Sequence, residues 1–408
     1  VLLLVTQLFD WINKNTAMPL QQQTVLVHPN DLTICWYNIT TVPLDKKKTP
    51  KELRSKLFVG RTQTTNGHLT LWKVKYAQGD GIDYGGLYRD SMSKCFSCMW
   101  HDSFSLFKRI PNAHDKNGLN QDSFLPNSTY GTSSKDLFIF VGQLLGINIR
   151  TKSYYEVRFP PCFYKLLSGA PLDLKDLADI DQAEYKDDLI NNLKAMTTTR
   201  RNLSKETFEA NDGVGYFEAT NIAGKTVELI PGGKTIKVDY EQLTEFCDLY
   251  DNFRLHEFDD AISAIQIGLA SIIPLSPLRI FTPKEFEELV VGRPEFDMQL
   301  WKERTKYTGV WKSGTSVHAK RFWRVLEGFT EEQKGGLVLF AWGRSRLPDR
   351  STDWSFTISP LSRHMDDNHL PHAHTCFNNI EMPTYSTDAI MRNKLLQAIS
   401  MGTDISER

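Results

Sequence analysis

The feature that most constrains this fold is a break late in the chain. Thr282-Pro283-Lys284-Glu285 opens a helix with a threonine cap, a proline in the first turn and a glutamate three residues past the cap. Phe286, Leu289 and Val290 share one face of that helix, Gly292 stops it and Pro294 follows. A second compositional unit begins there, so the spacing predicts two units with a turn at residues 291–295 between them. The part after the turn, about 110 residues, is long enough for an independent α/β domain.

The unit before the break is read from periodicity. Leu69, Leu71, Lys73 and Lys75 alternate with Thr70, Trp72, Val74 and Tyr76, which predicts a strand. Cys95-Phe96-Ser97-Cys98 sits in an apolar helix candidate and is read as core packing. Asp136 to Asn148 is apolar almost all round, as a buried helix is, and Gly142 and Gly146 leave room for a close neighbour. Thr226 to Val238 reads as a hairpin turning at Pro231-Gly232-Gly233. Phe258, Ile262, Ile265 and Leu269 recur at helical spacing. Residues 1–50 are an extension: Leu8, Phe9 and Ile12 fit a packed helix, and Pro43 to Pro50, with three lysines, fits a solvated linker. Gly79 to Gly86 imitates a dinucleotide fingerprint but has Tyr84 in place of its third glycine. The Gly224 and Gly233 Gly-Lys-Thr triplets lack the earlier glycine of a phosphate loop.

After the break, Phe322, Trp323, Leu326 and Phe329 form a helical stripe, and Leu337 to Trp342 is a continuous apolar run. Trp354, Phe356 and Ile358 alternate with polar residues as in a strand. Met391, Leu395, Ala398 and Ile399 mark a closing helix after Ser386-Thr387.

Composition excludes some classes of function. With 48 basic and 49 acidic side chains, the chain has no basic excess for nucleic acid or an anionic membrane. No stretch is long and apolar enough for a bilayer span, and the short run Val1 to Val5 makes a poor signal peptide. The absent initial methionine suggests a fragment of a longer protein. Six scattered cysteines imply no disulfide framework and point to a reducing compartment, the cytoplasm and also the nucleus. The Asn-x-Ser/Thr triplets at Asn38, Asn127 and Asn202 are read as unused.

The candidate chemistry centres on Cys376, in the run Leu370-Pro371-His372-Ala373-His374-Thr375-Cys376-Phe377-Asn378. A thiol is a strong nucleophile, and a nearby imidazole raises its thiolate fraction. If residues 374–378 are extended, His374, Cys376 and Asn378 face one side, while Phe377 anchors the strand from the other. His374 then either polarises the thiol and takes a proton, or only shapes the loop. A metal site from His364, Asp366, Asp367, His369, His372, His374 and Cys376 matches no zinc spacing and would occupy the nucleophile. No cofactor is expected. A cysteine hydrolase, or a binding module that keeps the fold without the activity, stands as the alternative.

Leu-Pro-x-x-His-Thr-Cys-Phe-Asn near a C-terminus resembles the catalytic loop of HECT-domain ubiquitin ligases. The resemblance extends over residues 51–408 through the turn Gly85-Gly86, Phe140-x-Gly142-x-x-x-Gly146, Gly343-x-x-Arg346-x-Pro348 and Met382-Pro383-x-Tyr385. Leu229-Ile230-Pro231-Gly232-Gly233 looks most like the large HERC branch. The resemblance implies an α+β, bilobal fold: a larger, mainly helical N-lobe at 51–291, a flexible hinge at 292–295 and a smaller α/β C-lobe at 296–408. It implies a ubiquitin ligase that takes ubiquitin from a conjugating enzyme as a thioester on Cys376 and passes it to a substrate lysine. His374 and Thr375 would shape the loop. Arg346, Phe377 and Asn378 would support the loop or the ubiquitin tail. Asp404 or Glu407 would assist lysine deprotonation. The conjugating enzyme would dock on a subdomain at about 165–255, with Phe246 and Tyr250 as exposed aromatic anchors. Three positions depart from the family pattern: Glu184 and Asp188 stand where an aliphatic pair is usual, Ile405 replaces a phenylalanine, and His372 is an extra imidazole.

Overall fold

The computed structural model describes residues 24–27, 63–65, 68–70, 73–76, 86–100, 106–116, 118–129, 135–185, 205, 208, 214–292, 295–311, 314–342, 346–347, 354–361, 366–374 and 378–404. The expected helix at Leu8–Ile12, the linker at 43–50, Gly79 to Gly85 and the positions Asp188, Arg293, Pro294, Gly343, Pro348, Ile405 and Glu407 lie outside them.

Strand β1 (Thr24–Val27) pairs in parallel with β4 (Lys73–Tyr76), and β2 (Gln63–Thr65) forms a hairpin with β3 (His68–Thr70). The single strand expected over 69–76 is therefore two, in different sheets. Periodicity records faces rather than partners, so alternation alone does not separate the two strands.

The next elements are α1 (Gly86–Cys98), β5 (Phe107–Arg109), α2 (Pro111–Asp115), β6 (Phe124–Pro126), α3 (Lys135–Thr151), α4 (Pro161–Leu167), α5 (Leu174–Ala178) and α6 (Gln182–Tyr185). Then come β7 (Glu218–Thr220), β8 (Thr226–Glu228), α7 (Leu243–His256), α8 (Asp259–Ala270) and α9 (Pro283–Val291). One cluster of buried apolar side chains runs through them from Tyr88 to Val290. At its centre α3 and α8 touch backbone to backbone. A Cβ on Gly142 would stand 1.9 Å from Ile265 O, and one on Gly268 only 1.8 Å from Ile139 O. The room predicted at Gly142 is thus filled by a helix. The α9 capping box forms as read: Thr282 Oγ1 accepts from Glu285 N at 3.3 Å, and the Glu285 carboxylate accepts from Thr282 N at 2.9 Å. Gly292 ends α9 at φ 80°, in the left-handed region where glycine has no Cβ penalty.

The hairpin expected over 226–238 is misplaced. β8 pairs with β7, and residues 233–235 form a 3-10 turn. The turn that prevails is capped by Asn221, whose Oδ1 accepts from Ala223 N and Lys225 N, with Gly224 at φ 75°. Pro231-Gly232-Gly233 still turns the chain, with Gly232 at φ 74° and its N donating to Glu228 Oε2 at 3.0 Å, and leads it to an isolated Tyr216–Lys237 bridge.

A second, separate cluster runs from Phe296 to Leu395 and is built on Trp301, Trp311, Trp342, Phe322 and Tyr385. Its elements are α10 (Met298–Glu303), β9 (Thr305–Tyr307), α11 (Val317–Glu327), α12 (Glu331–Trp342), β10 (Phe356–Pro360), β11 (His372–His374), β12 (Asn379–Met382) and α13 (Asp388–Asp404). The sheet order is β11-β12-β10-β9, with β10 parallel to both β9 and β12 and the β11–β12 pair antiparallel. Helices α11 and α12 pack on α13. Helix and strand are mixed throughout, in keeping with the α+β expectation. Among the described residues no helix is long and apolar enough to cross a membrane.

Candidate active site

The imidazole-rich run lies on the β11–β12 hairpin at the edge of the second sheet. The predicted nucleophile Cys376, with Thr375 and Phe377, falls outside the described residues; His374 and Asn378, on either side of it, are described. The register sets His372 opposite Glu381, Ala373 opposite Ile380 and His374 opposite Asn379. Ile380 and Met382 are fully buried, so strand alternation turns Asn379 and Glu381 to the other face, with His372 and His374. On that face His374 Nε2 stands 3.3 Å from Glu381 Oε1. Glu381 belongs to no motif, and only the register brings it to the imidazole.

Asn378 departs from the extended conformation expected for it. Asn378 takes φ 51°, a left-handed conformation that asparagine tolerates and most residues do not. Its carbonyl accepts from Thr357 N at 2.8 Å and its Nδ2 reaches Ser355 O at 3.4 Å, fastening the chain to β10. The side chain is buried, so it does not share an open face with His374. Asn378 is thus fastened to β10 by its backbone and its side chain.

The approach to the hairpin is held by side chains drawn from the proposed metal set. Asp366 accepts from Asn368 N at 3.0 Å and pairs with His369 Nδ1. Asp367 accepts from Ser386 N at 2.7 Å. The buried Tyr385 hydroxyl donates to His369 O at 2.8 Å, and Lys394 Nζ donates to Asn368 O at 2.8 Å. Burial pushes the Tyr385 pKa up, so it stays a neutral donor. Asp366 thus caps a turn and Asp367 ties that turn to Ser386 ahead of α13, and neither stands as part of an open ligand set.

The remaining predicted residues lie elsewhere. Arg346 packs beside Gly292: a Cβ there would lie 3.3 Å from Arg346 Cβ and 3.0 Å from Tyr154 Cγ. Burial lowers the Arg346 pKa, against the carboxylates of Glu156, Glu331 and Glu287, which raise it. Arg346 therefore faces carboxylates from both sides of the 292–295 turn. Phe246 and Tyr250 are not exposed anchors: they are 5% and 8% accessible, with ring centroids 6.0 Å apart and Phe246 5.9 Å from Phe217. Their i, i+4 face of α7 closes onto β7. Tyr250 still reaches the wall of a cleft of about 800 Å³ between β5, the β7–β8 turn and α7, with Lys108, Arg109 and Arg254. Arg254 was not anticipated. It is 4% accessible and sits 3.2 Å from Asp181 and 3.7 Å from Glu257, and it donates to Thr220 O. Burial acts to lower its pKa, but Glu257, Tyr185, Tyr250 and Asp181 outweigh this and hold it raised. The Asn127 side chain of the acceptor triplet is buried, its Oδ1 accepting from Thr129 N, which closes it to modification in the folded chain.

A family model described as HECT-domain (ubiquitin-transferase) matches residues 93–405. The chain is 31% identical over 334 residues to E3 ubiquitin-protein ligase HERC2 of Mus musculus, covering 81% of this chain and 7% of that protein. It is 29% identical over 333 residues to E3 ubiquitin-protein ligase RSP5 of Chaetomium thermophilum, covering 80% of this chain and 38% of that one. It thus spans well under half the length of these relatives.

Proposed function

The chain belongs to the HECT-domain (ubiquitin-transferase) family, and from that premise we propose that it takes ubiquitin from a conjugating enzyme as a thioester on Cys376 and passes it to a substrate lysine. The observation that carries this reading is the run His374-Thr375-Cys376-Phe377-Asn378, flanked by an exposed imidazole on one side and a buried, hydrogen-bonded asparagine on the other. The first supplies a proton acceptor beside the sulfur, and the second holds the loop in place.

Thiol-to-thiol exchange of an acyl group is nearly thermoneutral, so the protein contributes proximity and orientation. The cysteine must meet a donor thioester and then an acceptor amine, which calls for a mobile cysteine-bearing lobe. Two separate apolar clusters, and a glycine at φ 80° between Val290 and Phe296, support a bilobal arrangement with its hinge at 292–295. Docking of the conjugating enzyme is assigned to the 165–255 subdomain. There Phe246 and Tyr250 form the floor beneath the docking surface rather than projecting from it. The expected setting is a reducing compartment, the cytoplasm and nucleus.

The test is a panel of conjugating enzymes charged with ubiquitin, incubated with the chain and with Cys376→Ala. The expected result is a thiol-sensitive ubiquitin adduct on the wild type that is absent from the variant. Cleavage products with no adduct would indicate a hydrolase. Neither product with any donor would indicate a binding module.

A further inference from the structure

We infer that Glu381 is the positioning residue for His374, fixing that imidazole as proton acceptor when a thioester on Cys376 is discharged onto lysine; this rests on the thioester reading above. Glu381 and His374 are diagonal neighbours on one face of the β11–β12 hairpin, with Nε2 and Oε1 3.3 Å apart. Ile380 and Met382, buried in the second cluster on either side of Glu381, lock β12 in register. A slip of one residue would turn the carboxylate into the core and the apolar side chains into water. The pair is therefore held by the sheet and not by a chance rotamer on a loop.

A carboxylate at Nε2 selects the imidazole tautomer that carries its hydrogen there and leaves the Nδ1 lone pair open. Orientation of a histidine by a carboxylate on its far nitrogen is the arrangement used in hydrolytic triads and around metal-bound imidazoles. The step balances as follows. The lysine ammonium gives one proton to His374 Nδ1. The amine attacks the thioester carbonyl carbon, the C–N bond forms and the C–S bond breaks. The departing Cys376 thiolate takes the second nitrogen proton, leaving an amide, a thiol and an imidazolium beside Glu381. The His374 and Glu381 side chains are 48% and 28% accessible, so solvent screens the pair and its main effect is directional.

His372, directly across from Glu381 on β11, shares that face of the hairpin. Helix α12 packs against β11 and β12 and adds Leu337, Val338 and Ala341 to the apolar cluster that holds Ile380 and Met382, so it lies against the opposite face.

The experiment is single-turnover discharge of preformed ubiquitin adduct onto free lysine between pH 6 and 9, for wild type, E381Q, E381D, H374Q and the E381Q/H374Q double variant. Melting midpoints for each variant confirm that it is folded. Adduct formation by E381Q and E381D is expected to match the wild type within about twofold; for H374Q and the double variant only the discharge of adduct already formed is compared. Lysine discharge by E381Q is expected to slow about tenfold, and E381D should restore it. In the H374Q background E381Q should add no further loss. Wild-type discharge by E381Q overturns the role of Glu381, as does a full multiplicative loss in the double variant. A wild type that never forms the adduct overturns the thioester reading, and the Glu381 role with it.

Discussion

Asp388 shows how one residue carries both local and long-range work. It opens α13, where a carboxylate is favoured by the helix dipole, and it binds Arg324 through both oxygens at 2.5 and 2.9 Å and Arg321 at 3.1 Å. Hydrogen bonding from Arg324, then from Arg321, holds its carboxyl below the ordinary aspartate value. A carboxyl whose folded pKa is depressed contributes stability above its unfolded pKa and loses it as pH falls through the folded value. Asp388→Asn is therefore expected to lower the urea midpoint at pH 7. That deficit should persist to about pH 4 and shrink below it. A deficit that is constant down to pH 3 would mean that the carboxylate's charge is not what matters. Arg254 is the buried counterpart: three groups on α7 and its neighbours meet around one guanidinium that faces the cleft. Arg254-Leu255-His256-Glu257 reads in the sequence as an ordinary solvated helix end, because charge alone does not reveal burial.

The α3–α8 pair is where the fold has least slack among its elements. Two helices approach until the carbonyl of Ile139 lies where a side chain at Gly268 would begin. Such contacts replace side-chain interdigitation with backbone packing and leave no rotamer that can yield. Gly268→Ala is expected to destabilise the chain by about 1–3 kcal/mol or more, read as a drop in urea midpoint. Gly224→Ala, in the open β7–β8 turn with nothing within 4 Å, meets only backbone strain of about 1–2 kcal/mol. If the two variants lose the same stability, the interhelical contact is not the controlling one. Both glycines were visible in the sequence. Gly142 was read as a close-packing site because it interrupts an all-apolar helix. Gly268, inside an equally regular stripe, carried no such mark.

For the whole molecule, the separation into two apolar clusters makes a direct claim about folding. The second cluster closes on its own tryptophans, with α11, α12 and α13 around a four-stranded sheet. A fragment of residues 295–408 is expected to unfold in one cooperative transition with dispersed amide resonances. A fragment that stays collapsed without a transition would mean that the first cluster templates the second. Arg346 interacts with Glu156 and Glu287 from before residue 292 and with Glu331 from after it.

Taken alone, the sequence determined the features that depend on short range. The capped helix and its glycine stop, the all-apolar helix, the alternating strand at Phe356 and the cysteine run that carries the family each sit within a few residues, where capping, periodicity and motif chemistry act. Tertiary structure alone decided which strand β8 joins, that Phe246 and Tyr250 turn inward, that Arg254 is buried among carboxylates, and that Glu381 lies beside His374. Each of these is a contact between segments whose pairing is selected by the free energy of closing the whole core, and no local pattern encodes that sum.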